Sequence, residues 1–138
     1  MLATVAAVDS PQPDSVTYSI TVPQTHPYMT VSKLLAEWQR VEQVRLWRTA
    51  GWAAARLDDT VPRDKPLGFT RIIATVHIAN NLRRDVSNYF PTFKACIDGF
   101  VDAGILDDDS DAHVIGPDPR RGYTIPPRIV FTLEELLR

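Results

Sequence analysis

The stretch from Asn88 to Gly104 most constrains what this chain can fold into. Phe90, Phe93, Ile97, Phe100 and Val101 recur at helical spacing, which predicts a helix with one buried stripe. Pro91 falls in the first turn, where a missing N–H costs nothing. Gly104 is placed for a left-handed cap, with Ile105 folding back on the last turn. A straight helix over 89–103 is about 22 Å long and has to lay its stripe against another layer. It carries one lysine, Lys94, with Asp98 four residues on and so on the same face. Beyond Gly104 the chain empties into Asp107, Asp108, Asp109 and Asp111.

The partner layer is legible on both sides. Val16 to Val22 alternates Val, Tyr, Ile and Val with Thr and Ser, the period of a half-buried strand. Phe69 to Ile78 is rich in Ile, Val, Thr and Phe and reads as a central strand. Ala112 to Ile115 reads as a short strand, and Arg128 to Leu133 as the last one, with Glu134 to Arg138 a tail or one helical turn. Val31 to Leu57 reads as the longest helix, striped by Leu34, Trp38, Val41, Val44, Trp52 and Ala55, with a bend or early end expected at Gly51. The segments Asp58–Gly68 and Gly116–Pro127 read as Pro/Gly loops, and Asn80–Asn81 as a turn. The order is that of an α+β domain over 16–138 behind a tail, 1–15.

The chain has 138 residues, enough for one core, and a single cysteine, Cys96, which excludes an internal disulfide and suits a reducing cytosol. Cys96 reads as a small core hydrophobe. No apolar run approaches the ~20 residues that cross a bilayer, and the mildly apolar start has no basic residue of the secretory kind.

The net charge of −2 argues against a uniformly basic nucleic-acid binder. Setting aside the six aspartates between 98 and 111, however, leaves 11 acidic against 15 basic residues. Arg45, Arg48 and Arg56 gather on one face of the first helix, either as solvated residues over a core element or as a phosphate-tracking face. Clustered aspartates suit a hard divalent ion that keeps waters and substrate phosphates. They also suit a solvated loop, and at a helix C-terminus they oppose the macrodipole. Lys94 is either a snorkelling side chain or a catalytic cation. Of His26, His77 and His113, only His113 lies near the acids. No phosphate-binding glycine loop, CxxC pair or HExxH is present, which removes nucleotide hydrolases, zinc ribbons and zincins.

In order, the chain presents a strand from Tyr18 to Pro23, a helix rich in Trp and Arg, and a second strand. Then follow Arg84–Asp85 with Asn88, Lys94, Asp98–Gly99, Gly104, Asp108–Asp109, and a strand from Arg128 to Thr132. This ordered set resembles the RusA-type Holliday-junction resolvases over most of residues 16–134, most strongly between 83 and 111. These are small homodimeric endonucleases, often carried by phages and prophages. The resemblance implies a two-layer sandwich in which helices pack on one face of a small mixed sheet. It also implies a cytoplasmic homodimer that cuts branched DNA with Mg2+, or alternatively Mn2+.

The family pattern, R-D-x-D-N, a helix lysine and G-x-x-x-D-D, puts Asp85, Lys94 and Asp109 in the catalytic roles. Metal ligands are then drawn from Asp85, Asp108, Asp109 and Asp111, and Arg45, Arg48, Arg56, Arg83, Arg84, Arg120 and Arg121 would hold DNA. Three features depart from the pattern. Ser87 stands where the family has its second aspartate, and three extra residues precede Lys94. The loop after the first strand is also reduced, running from Gln24 to Thr30. A protein of this kind that binds branched DNA without cutting it is the alternative reading. Asp85 and Asp109 flank the helix, so they can share an ion only if loops fold back or if two subunits contribute.

Overall fold

A computed structural model describes residues 15–78, 85–108, 110 and 112–136. Four strands form one sheet: β1 (Ser15–Pro23), β2 (Thr70–His77), β3 (Val114–Gly122) and β4 (Arg128–Leu136). Two helices, α1 (Glu37–Leu57) and α2 (Phe90–Asp102), pack against it, and a 3-10 turn, Val86–Tyr89, leads into α2. The strand order is β1-β4-β2-β3. β4 is antiparallel to both β1 and β2, whereas β2 and β3 run parallel. Parallel neighbours need a crossover, and α2 is that crossover. The chain is therefore an α+β two-layer sandwich.

Alternation sets the two faces of the sheet. Ile20, Val22, Ile72, Ala74, Val76, Ile129, Phe131 and Leu133 are buried on the helix side. Phe131 takes Phe93 and Phe100 edge-on, with ring centroids 6.3 and 5.0 Å away, which docks α2 on the middle of the sheet. Ser19, Thr21, Thr75 and Thr132 alternate with the buried set and remain open or half-open on the far face.

The helices meet at glycines. A methyl group on Gly51 would collide with the Cys96 backbone, and one on Gly99 with the backbone of Arg48 and Trp52. The early end expected at Gly51 is absent: α1 runs on to Leu57, and Gly51 serves the close crossing. α2 ends as its sequence indicates. Gly104 adopts φ 84°, and the Ile105 amide donates to the Phe100 carbonyl at 3.1 Å, with Ile105 folded into the core.

Several sequence expectations are corrected. α1 begins at Glu37, not Val31, because the preceding segment is tied down elsewhere. Met29 N donates to Thr92 Oγ1 at 2.8 Å, Thr92 Oγ1 donates to Met29 O at 3.0 Å, and Val31 N donates to Asn88 O at 2.9 Å. The expected stripe is displaced too. Trp47, Gly51 and Ala55 form the buried face of α1, while Leu34, Trp38 and Val41 are exposed at 96%, 72% and 55%. Phe90 leaves the α2 stripe and is exposed. Gly116–Pro127 is not wholly loop, since β3 extends through Gly122. An edge strand tolerates prolines because it needs no second row of amide donors. Gly116, at φ 102° and tight against the Ile72 backbone, sits where the β2–β3 register shifts. The described part of the final segment, residues 134–136, is neither tail nor helical turn. Glu134 to Leu136 continue β4, with Glu134 buried, 3.7 Å from Arg71 and accepting from Ser15 Oγ at 2.9 Å.

Candidate nuclease half-sites and an arginine face

Asp85 lies between β2 and α2 and caps the 3-10 turn. Its Oδ1 accepts from the Ser87 amide at 3.1 Å and the Ser87 hydroxyl at 2.5 Å. The hydroxyl bond, then the amide bond, hold the Asp85 carboxyl below the usual carboxylate range. The residue that departs from the family pattern is thus the direct partner of Asp85. Asn88 ties the same turn to the incoming segment, its side-chain amide donating to Ser32 Oγ at 3.2 Å.

Lys94 and Asp98 project from the exposed side of α2 and pair at 2.9 Å, as their spacing requires. Asp108 lies past the other end of α2, exposed, just after a parallel bridge between Leu106 and Leu67. That bridge sits immediately before β2, whereas Asp85 follows β2. Asp85 and Asp108 therefore belong to opposite ends of the β2–α2–β3 unit, separated by a helix of about 20 Å at 1.5 Å per residue. The structure does not bring them together within one chain. Asp109, Asp111, Arg83 and Arg84 lie outside the described residues. Among the described residues, no three His, Cys, Asp or Glu side chains converge as a metal site. Each end offers hard carboxylate oxygens of the type Mg2+ takes. His113 borders the acidic loop, its Nδ1 3.1 Å from Ser110 Oγ.

Arg45, Arg48 and Arg56 do share a face of α1, with Trp52 between them. Each has a local contact: Arg45 pairs with Glu42, Arg48 grips Asp102 at 2.6 and 2.8 Å, and Arg56 lies 5.9 Å over the Trp52 ring. A cleft of about 160 Å3 lined by Arg45, Arg48, Thr49, Trp52 and Asp102 opens there. Arg48, at hydrogen-bonding distance, holds the Asp102 carboxyl below its usual range. The Arg48–Asp102 pair spans 54 positions and left no signature in the sequence. On β3, Arg120 donates to Pro119 O at 3.0 Å, and Arg121 lies 5.4 Å over Tyr123. Cys96 is buried beneath α1, and burial pushes its thiol well up, as befits a core residue without nucleophilic use.

No protein-family model matches the sequence, and no curated protein matches it significantly. No helix among the described residues is long and apolar enough to cross a membrane.

Proposed function

We propose that this chain is a Mg2+-dependent endonuclease that cuts branched DNA, four-way junctions above all, as a two-fold homodimer in the manner of the RusA-type resolvases. The observation that carries the reading is the placement of Asp85 and the Asp107–Asp108 loop at the two ends of α2. A second copy running antiparallel, with its two-fold axis on the outer face of α2 midway between Lys94 and Asp98, sets Lys94 against the partner copy's acidic position 98. The same operation would bring Asp85, at the start of one helix, toward the acidic loop beyond the end of the partner copy's helix, joining the half-sites in pairs. The outward stripe of Phe90, Lys94 and Asp98 is self-complementary for that pairing, oppositely charged at its centre.

In this arrangement Asp85 and Asp109 hold the ion, with Asp108 and Asp111 as further oxygen donors. The bound ion supplies charge neutralisation at the scissile phosphate and a more acidic water. Lys94, steadied by Asp98, offers a fixed positive charge to the phosphate as negative charge grows on it. Arg45, Arg48 and Arg56 hold the DNA arms through phosphates, trading Glu42 and Asp102 for them, so binding falls steeply with salt. Arg83, Arg84, Arg120 and Arg121 extend the same role.

A second reading, a branched-DNA binder without cutting activity, is favoured by Ser87, which replaces a carboxylate and occupies Asp85. Incubating a labelled four-way junction with the protein, with and without Mg2+, separates the two. Paired nicks that disappear in Asp109→Asn support the nuclease, whereas a retarded but intact junction supports the binder. A protein that neither retards nor cuts the junction removes both.

A further inference from the structure

The sheet divides its charges between its two ends. β2 and β3 run parallel and finish together, His77 beside Gly122, while β1 finishes at Pro23 opposite Arg128, where β4 begins. Segments 23–26, 77–78 and 121–128 meet at this end and carry Arg121, Arg128, His26 and His77 but no acid. At the other end the start of β2 lies against Glu134 and Glu135. The basic end is also the one from which the chain leaves β2 toward Asp85, and the turn that Asp85 caps packs against β3. Ligands of β–α–β units collect beyond the carboxyl ends of the strands.

His77 is held at that end in one state. Its ring lies so close to the Gly122 backbone that a methyl on Gly122 would sit 2.3 Å from Nδ1. The Thr124 amide, which can only donate, bonds to Nδ1 at 3.4 Å, so Nδ1 is an acceptor. Thr124 Oγ1 lies 3.0 Å from the same nitrogen and receives Arg128 Nη2 at 3.3 Å, which leaves its own hydrogen for Nδ1. The proton of the neutral ring is then on Nε2. Burial, and then the Arg128 charge, hold the imidazolium below its ordinary range, so the ring is neutral at pH 7. The ring is half-buried, and its Nε2 is open to solvent and has no partner among the described residues.

We infer that His77 is a further catalytic residue, its Nε2–H donating to a phosphate oxygen of the DNA strand held at the Asp85 end. That the phosphate belongs to DNA rests on the endonuclease reading. A donor fixed in direction before the substrate arrives costs no reorganisation when negative charge grows on the phosphate. Lys94 brings its charge on a flexible stem, whereas His77 brings direction from a clamped ring.

Ring NMR gives the first test. Nitrogen–proton correlation spectra should place the His77 proton on Nε2, and that signal should shift when a four-way junction is added in EDTA. With Mg2+ and saturating protein, His77→Ala should lower the single-turnover cutting rate on the order of a hundredfold, with junction affinity changed by no more than about threefold. His77→Gln sets an amide N–H near the place of Nε2 and should recover most of the rate, which it could not do for a general base or a cation. The glutamine variant and the ring spectra keep the test open if the alanine variant fails to fold. In a protein that cuts junctions, full cutting by His77→Ala or a ring signal blind to the junction would overturn the role of His77 and leave the nuclease standing. A rate loss that vanishes at saturation would overturn it too, since His77 would then only hold the DNA. A junction that shifts the His77 signal but is never cut with Mg2+ would overturn the endonuclease reading, and the catalytic role with it, in favour of a binding contact.

Discussion

Asp85 and Asp102 show how much a single contact can decide. Ser87 gives Asp85 two hydrogen bonds where the resembled family would put a second carboxylate. Ser87→Asp exchanges a donor for a ligand, and two carboxylates hold a divalent ion better than one. If this chain cuts junctions, that variant should need less Mg2+ for half-maximal cutting, and a metal titration of nicking rate reads the change. An unchanged requirement would mean that position 87 is not a ligand position. Asp102 carries the pH prediction. Its carboxyl is depressed by the Arg48 hydrogen bond, so the pair favours the fold above the unfolded-state pKa. That contribution is lost as pH falls through the lower folded-state value. Both side chains are well exposed, so after solvent screening the pair contributes under about 1 kcal/mol. Arg48→Ala should raise the Asp102 titration toward the ordinary carboxylate range, measured by carboxyl NMR. It should flatten the acid limb of stability only slightly, while weakening binding to branched DNA at low salt.

At the scale of elements, the decisive contact is the crossing of α1 over α2. Alanine normally favours a helix over glycine by about 1 kcal/mol. At Gly51 the sign should reverse, since a methyl meets the Cys96 backbone, and backbone cannot swing aside as a side chain can. Gly51→Ala is therefore expected to destabilise the protein by about 1–3 kcal/mol or more in urea unfolding. Thr92→Val, of nearly the same shape, strips Met29 of both its hydrogen-bond partners in a fully buried setting. It should cost about 1–3 kcal/mol, with the 27–31 strap loosening first in hydrogen exchange.

These two contacts also mark where the sequence stops being legible. The strands β1 and β2 and the helix α2 with its Gly104 cap could be read from period and punctuation, because the forces that shape them are local. The start of α1 could not, since Val31 and Met29 bond to Asn88 and Thr92, roughly sixty positions away, and those bonds outweigh helix propensity. Only the start of β3 was legible, in the strand read at Ala112–Ile115; the rest was hidden because its prolines read as loop until a neighbour is known to exist on one side only. Of the candidate site, the Lys94–Asp98 pair was legible from a four-residue spacing. The Arg48–Asp102 pair was not, being a product of helix packing.

For the molecule as a whole, the question is whether one chain or two make a site. The β2–α2–β3 unit keeps Asp85 and Asp108 at opposite ends of α2, so a catalytic pair drawn from both ends has to cross a subunit boundary. Subunit mixing tests this directly. Asp85→Asn and Asp109→Asn proteins should each be inactive alone. If each site takes Asp85 from one copy and Asp109 from the other, a mixed dimer has one site with both substitutions and one with neither. Equal mixing and free exchange then return about a quarter of the parental sites, seen as single nicks rather than paired cuts in a four-way junction. If each chain builds its own site, every site in the mixture lacks one carboxylate and no activity returns. A swap at the centre of the proposed interface gives the matching check on assembly. Lys94→Glu alone should weaken the dimer in sedimentation velocity by placing like charges together, and adding Asp98→Lys should restore it. A parent protein that sediments as a monomer at micromolar concentration would exclude the shared site, and with it the account of why the acids are divided between the two ends of one helix.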